Sequence, residues 1–205
     1  LLLLFDINYG VRRHGASFAQ QFIFQKGQKK FGKCGDQAAT NEFDQLHHHN
    51  CFMPIDLSKL TSLEKKKAQA AMMLLSEKKD GTVKGHCVYE GSKTQPYFTK
   101  EETASPTAST EGIFITATIN SHEERDVMTA DIPNAFIQAS LENLNDGDEK
   151  VIMKVIGMLV KLLVQVVPGV YGPFVVYKNG RKVLYLHVLK ALYGMLQATL
   201  LWYKK

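Results

Sequence analysis

The sequence predicts an α+β fold, and three observations carry that reading. Asp80-Gly81 and Asn179-Gly180 each separate two runs that alternate in polarity, which is the signature of a β-hairpin. Segments with helical spacing lie between the strand-like runs, notably "GDQAATNEFDQLHHHN" and "GMLVKLLVQVV". Local hairpins interleaved with helices argue α+β and leave no repeat or low-complexity tract to explain.

In chain order, residues 1 to about 55 are mixed, with an amphipathic helix expected through Phe43 and Leu46. The run His47, His48, His49 does not suggest a metal site, because consecutive helical residues point about 100° apart. Pro54 makes "CFMPIDLSKL" a connector. "TSLE" at Thr61 is a capping box opening a helix through "EKKKAQAA". "MMLLSEKKDGTVKGHCVY" follows as a hairpin with a type I′ turn, a Gly-capped helix being the competing reading of its first half. "GSKTQPYFTKEETASPTAS" reads as loop. "STEGIFITATIN" reads as a buried helix with strand as its alternative, and "RDVMTADI" as a strand ending at Asp131. "KVIMKVI" is a further strand. "GMLVKLLVQVV" is a helix stopped by Pro168 and Gly169, and "PFVVYKNGRKVLYLHV" is the clearest hairpin. "KALYGMLQATLLWYKK" turns first, then becomes a helix with Leu196, Leu200 and Tyr203 on one face.

Composition narrows the classes. The chain has 205 residues, 45% hydrophobic and 22% charged, enough for one core or one and a half. A net charge of +5 leans mildly toward polyanions. Lysines recur in "QKGQKKFGK", "EKKK", "SEKKDGTVKG" and "WYKK", each of which also reads as solvated surface. Three spaced cysteines without a CxxC fit free thiols in a reducing compartment. "LLLLFD" is too short to span a bilayer, and both ends read as those of a fragment. The absence of GxxxxGK[ST], HExxH and GxSxG removes the enzyme classes with self-contained motifs.

Asp131, in "TADIPNAFIQ", is the acid that raises a chemical question. At a strand-to-turn junction it reads as a cap or as one ligand of a metal site. Four blocks in order bear on the choice: the hairpin "KKDGTVKGH", the loop "ASPT", "DIPNAF", and "LYGMLQATLLWY". Together, from about residue 72 to 205, they resemble the reverse transcriptase domain of copia-type retrotransposons. The resemblance implies a right-hand polymerase fingers and partial palm over residues 59–205, with antiparallel hairpins and packed helices. Residues 1–58 would form a leader or connector.

On that resemblance Asp131 matches the first catalytic, metal-binding aspartate, with Asp126 as a rival that opens the strand instead. Lys84 matches the lysine that neutralises the incoming triphosphate. His86 stands where the family has Arg, a weaker triphosphate contact. Phe136 falls at the sugar-gate position, with a core aromatic as its alternative. Gln197 matches a nucleotide contact, with a helix-surface residue as its alternative. Lys78 and Lys79 would touch template phosphate, or else be solvated turn lysines. The implied reaction adds dNTPs to a primer on an RNA or DNA template through two Mg²⁺ ions. The implied partners are template-primer, dNTPs, an upstream integrase and a downstream RNase H, with no membrane. The implied location is intracellular, in a cytoplasmic virus-like particle or the nucleus. No Tyr-x-Asp-Asp occurs in these residues, so the chain alone is expected to be inactive. A decayed nucleic-acid-binding remnant and a phosphohydrolase using Asp131 with the "DGDE" acids are the alternatives.

Overall fold

β7 (Arg181–Val188) is the spine of the structure, a computed structural model that describes residues 20–128, 130–141 and 150–205. Its sequence, RKVLYLHV, is apolar on both faces because both faces are covered. Leu184, Leu186 and Val188 join the main core, while Val183 and Tyr185 join a smaller cluster with Leu60, Ala68 and Ile152. The two-residue period of a strand puts these sets on opposite sides. β5 (Ile152–Ile156) pairs antiparallel with β7 and divides in the same way, with Met153 and Val155 facing the main core. The "KVIMKVI" expectation holds.

A seven-stranded mixed sheet grows from this pair. β6 (Val176–Lys178) forms the Asn179-Gly180 hairpin with β7, and both turn residues have positive φ, 49° and 71°, as a two-residue I′ loop requires. β3 (Gln69–Glu77) and β4 (Val83–Tyr89) form the other expected hairpin. Its turn differs from the expected I′. Only Gly81 is at positive φ, Gly81 N–H donates to the Lys78 carbonyl at 3.0 Å, and Lys78 N–H donates to Thr82 at 2.8 Å. This is a three-residue loop closed by a glycine bulge, held by Asp80 accepting from Thr82. The N-terminal end of β3 pairs in parallel with β5, and its far end pairs antiparallel with β1 (Gln21–Ile23).

The Thr61 capping box forms as expected, with Glu64 N–H on Thr61 Oγ1 and Thr61 N–H on the Glu64 carboxylate. The helix it opens, α3 (Ser62–Lys67), stops earlier than its spacing suggested, because Gln69 and Ala70 are recruited to the sheet by β5. The supposed connector at Pro54 supplies β2 (Phe52–Pro54), an edge strand on β7. An edge tolerates proline because its missing donor faces no partner.

α1 (Phe24–Phe31) and α2 (Lys33–His48) cover the β3–β4 hairpin, and α6 (Met158–Val166) packs beside α2. Ala38, Ala39, Phe43 and Leu46 are the buried stripe of α2, so residues on both sides of position 58 share one core. α2 lies so close to β4 that a Cβ on Gly85 would sit 2.5 Å from the Ala38 carbonyl oxygen. The loop expected at 91–109 contains a 3₁₀ turn, Gly91–Tyr97, and a short helix, α4 (Lys100–Thr103), with its own capping box at Thr99.

Two further expectations fail. "RDVMTADI" forms no strand among its described residues. Val127 and Met128 are 64% and 88% exposed, and no strand among the described residues pairs with them, without which alternation cannot make a strand. The helix at 110–122, α5 (Thr110–His122), forms but is not buried, with Phe114 67% exposed. Its apolar residues run all round the cylinder instead of along one stripe. The "DGDE" loop and the "LLLLFD" opening lie outside the described residues.

After β7 the chain turns back through "LYGM" into the last helix, α7 (Ala198–Lys204). Its inward face carries Ala198 and Leu201; Tyr203, expected on a shared face, is exposed. The turn is fastened to β4. Tyr89 N–H donates to the Tyr193 carbonyl at 2.8 Å, and Gly91 and Gly194 lie backbone to backbone. A Cβ on Gly194 would overlap the Tyr89 carbonyl oxygen, and its φ of +84° already disfavours any other residue. Gly194→Ala should therefore cost about 2–3 kcal/mol, lowering Tm by roughly 4–12 °C for a chain of this size. Gly180→Ala, where φ is also positive but the space is open, should cost less. Equal losses in thermal denaturation would refute the close-approach argument.

Candidate functional site

The local geometry around Lys84 begins with the strand period. Lys84 and His86 are two apart on β4, so they share the face opposite buried Gly85 and Cys87. They open onto a cleft of about 210 Å³ whose other walls come from α2, from residues 131–137, and from Leu192 and Tyr193. Asp131 is exposed and lines the same cleft. The pairing of 139–141 with 189–191 holds it there: Ala191 N–H donates to the Ala139 carbonyl at 2.9 Å, and Leu141 N–H to Leu189 at 3.0 Å. Between Asp131 and that pairing the chain turns at Pro133 and at Asn134, whose φ of 56° is one that asparagine tolerates.

Lys84, His86 and Asp131 are thus brought together from segments more than 40 residues apart. Phe136 is not on the cleft wall. It is 2% exposed and packs edge-on against Tyr193 at 4.8 Å, so the core-aromatic alternative describes its position. The ring that faces the cleft is Tyr193, which also stands 4.2 Å from the His86 ring. Gln197 lines a different hollow, with Lys67, Tyr97 and Lys150. Lys78 lines a shallow depression adjoining the cleft, sharing Lys84 and Glu42 with it, and Lys79 is exposed at the turn.

Glu42 is the cleft residue that sequence reasoning missed. It sits on α2 at the same helical phase as Gly35, Ala38, Ala39, Phe43 and Leu46, so a carboxylate on an apolar stripe was the available signal. Its Oε1 accepts from the Cys87 N–H at 3.0 Å, a strand-edge donor that would otherwise be unpaired. His86 Nδ1 lies 3.6 Å from the same oxygen, too far for a hydrogen bond. Burial raises the Glu42 carboxyl above its ordinary 4.5, against weaker downward pulls from the Cys87 N–H and Lys84. Burial, then Lys84, lowers the His86 imidazole below 6.5. Both groups are pushed toward neutrality, so their proximity is better described as a carboxyl beside a neutral imidazole than as a salt bridge. The Tyr193 hydroxyl is raised by burial first, then by the charges of Asp131 and Glu42.

The cleft therefore combines one cation, one solvated carboxylate, one buried carboxyl and an aromatic wall. It can hold an anionic group at Lys84 and order a ring against Tyr193. Among the described residues no three His, Cys, Asp or Glu side chains converge. Mg²⁺ takes oxygen ligands in near-octahedral geometry, and a two-ion site needs carboxylates shared between ions. Asp131 in solvent can supply one such oxygen, but Glu42 is engaged by the Cys87 N–H, so the described residues alone do not complete a two-ion site. The three consecutive histidines diverge: His47 hydrogen-bonds the Tyr171 hydroxyl at 2.8 Å while His48 and His49 are exposed. All three cysteines are unpaired, with Cys51 pushed up to about 12 by burial.

Among the described residues no helix is long and apolar enough to cross a membrane. No protein-family model, curated protein or solved structure matches the chain.

The opposed shifts of Glu42 and His86 give a pH prediction. A carboxyl raised in the folded state favours folding fully below 4.5, and that contribution is lost as pH climbs through the raised value. An imidazole lowered in the folded state acts the other way, penalising folding below 6.5 and ceasing to do so above it. Relative to the wild type, Glu42→Gln should gain stability as pH rises from 4.5, and His86→Gln should lose its relative advantage as pH rises past 6.5. Denaturant midpoints measured from pH 4 to 8 check both; curves parallel to the wild type would remove these groups from the linkage.

Proposed function

We propose that this chain is the fingers and first palm segment of an RNA-directed DNA polymerase of the copia retrotransposon type. Lys84 contacts the triphosphate of the incoming dNTP, and Asp131 stands on the opposite wall near the reacting phosphates. The observation that carries this reading is that Lys84, His86 and Asp131, far apart in sequence, line one cleft. Phosphoryl transfer asks the protein mainly for positioning and charge neutralisation, and a strand-borne lysine facing a carboxylate is suited to both. His86, held toward neutrality, orients the substrate through a hydrogen bond instead of adding charge. In this reading the ring beside the sugar is Tyr193, with Phe136 stacked behind it. Lys78 and Lys79 contact template phosphate at the hairpin tip.

Asp131 is one ligand of the Mg²⁺ site that the reading requires, and the described residues do not supply the rest. The chain alone then binds substrates without turning them over. Template-primer, the integrase and RNase H portions of a polyprotein, and an intracellular particle or nucleus are its partners and place.

A second reading is favoured by Glu42: a buried carboxyl beside Lys84 weakens the cleft's claim on a triphosphate and suits a decayed copy that keeps only nucleic-acid binding. Anisotropy with fluorescent dNTP separates the two. The polymerase reading expects binding that Lys84→Ala weakens about tenfold, roughly 1.4 kcal/mol, and that Asp131→Asn leaves intact without metal. Binding of template-primer with no detectable dNTP affinity would favour the decayed copy. Absence of both would refute each reading.

A further inference from the structure

Two lysine clusters that lie about 50 residues apart in sequence meet at one end of the fold. β1 pairs with residues 74–76 of β3, and this seats α1 against the base of the β3–β4 turn. A Cβ on Gly27 would meet the Leu75 side chain at 2.8 Å, so the Gly27 side of α1 is the packed side, with Phe24 buried beside it. At about 100° per residue, Lys26, Lys29 and Lys30 fall within a single arc of roughly 100° on the adjoining flank. All three are exposed. Lys30 Nζ reaches Glu77 at 3.6 Å, next to Lys78 at the start of the turn, and lies 4.6 Å from the Phe22 ring centroid. Lys26 and Lys29 make no ion pair among the described residues.

We infer that this flank of α1 is a nucleic-acid-binding surface, continuous with the hairpin tip and taking the phosphate backbone of a single strand leaving the cleft. The inference rests on the proposed function for its ligand and adds a surface outside it. Lysines spread along one helix flank, without a pocket, suit repeated phosphates better than a single small anion. An anionic membrane fits worse, because the apolar side of α1 is already spent on Leu75 and none is left to enter a bilayer.

The test is anisotropy of a labelled single-stranded RNA 20-mer across a salt series. Lys26→Gln/Lys29→Gln/Lys30→Gln should weaken binding at least tenfold at about 0.1 M salt. The slope of log K against log salt should become shallower by about 2, at about 0.7 per phosphate contact. The control Lys59→Gln/Lys65→Gln/Lys66→Gln removes the same charge around α3 and should leave the slope in place. Lys26→Gln/Lys29→Gln, which keeps the Lys30–Glu77 contact, should show the same trend at about two-thirds the size if the triple variant proves unstable. Equal losses in the α1 and control variants would reduce the surface to net charge and overturn the inference. Wild-type binding with an unchanged slope in the α1 variants would overturn it while sparing the proposed function; no binding by the wild type would end both. Loss on phosphatidylserine vesicles without loss on RNA would assign the flank to membranes instead.

Discussion

The backbone contact between Gly194 and the end of β4 is the constraint on which the cleft depends. It lets the turn after β7 lie directly against residues 89–91, with the Tyr89 N–H closed onto the Tyr193 carbonyl. That placement pushes Tyr193 between His86 and Phe136 and gives the cleft its aromatic wall. A side chain at either Gly91 or Gly194 would part the two segments and open the wall. Glycine is required here for contact as much as for its dihedral angles.

The same economy appears where α2 crosses β4. Gly85 permits the approach, and the approach delivers Glu42 to the Cys87 N–H. The edge of β4 is thereby satisfied by a side chain and a turn carbonyl in place of another strand, which leaves Lys84 and His86 facing open space. The cost is a buried carboxyl next to an imidazole, each held away from its charged form. The cleft's net charge is then set chiefly by Lys84 and Asp131, with Glu42 a group whose ionisation depends on pH.

The helix α5 stands apart from this arrangement. Its apolar side chains are exposed all along its thirteen residues, and residues 125–128 beside it are exposed too. The described residues include no layer over α5. The cleft itself is walled by α2, by β4 and by Leu192 and Tyr193, and Asp131 enters it from an irregular segment.

Local chemistry was readable in advance because it is written in neighbours. The Thr61 capping box, the two glycine hairpins, the apolar stripes of α2 and α6, and the strand at 152–156 each depend on residues a few positions apart. The shared orientation of Lys84 and His86 followed from the strand period as well. The tertiary structure decided everything that depends on a partner. Gln69 and Ala70 left a helix because β5 offered hydrogen bonds, whereas 125–128 formed no strand because none of the described residues did. Phe136 went into the core and Tyr193 to the cleft because the β4 contact fixed which ring stood in front. Glu42 became a cleft residue only when Gly85 let α2 come close. The reason is the same in each case: alternation and propensity state which conformations a segment can adopt, and burial against a particular neighbour selects among them.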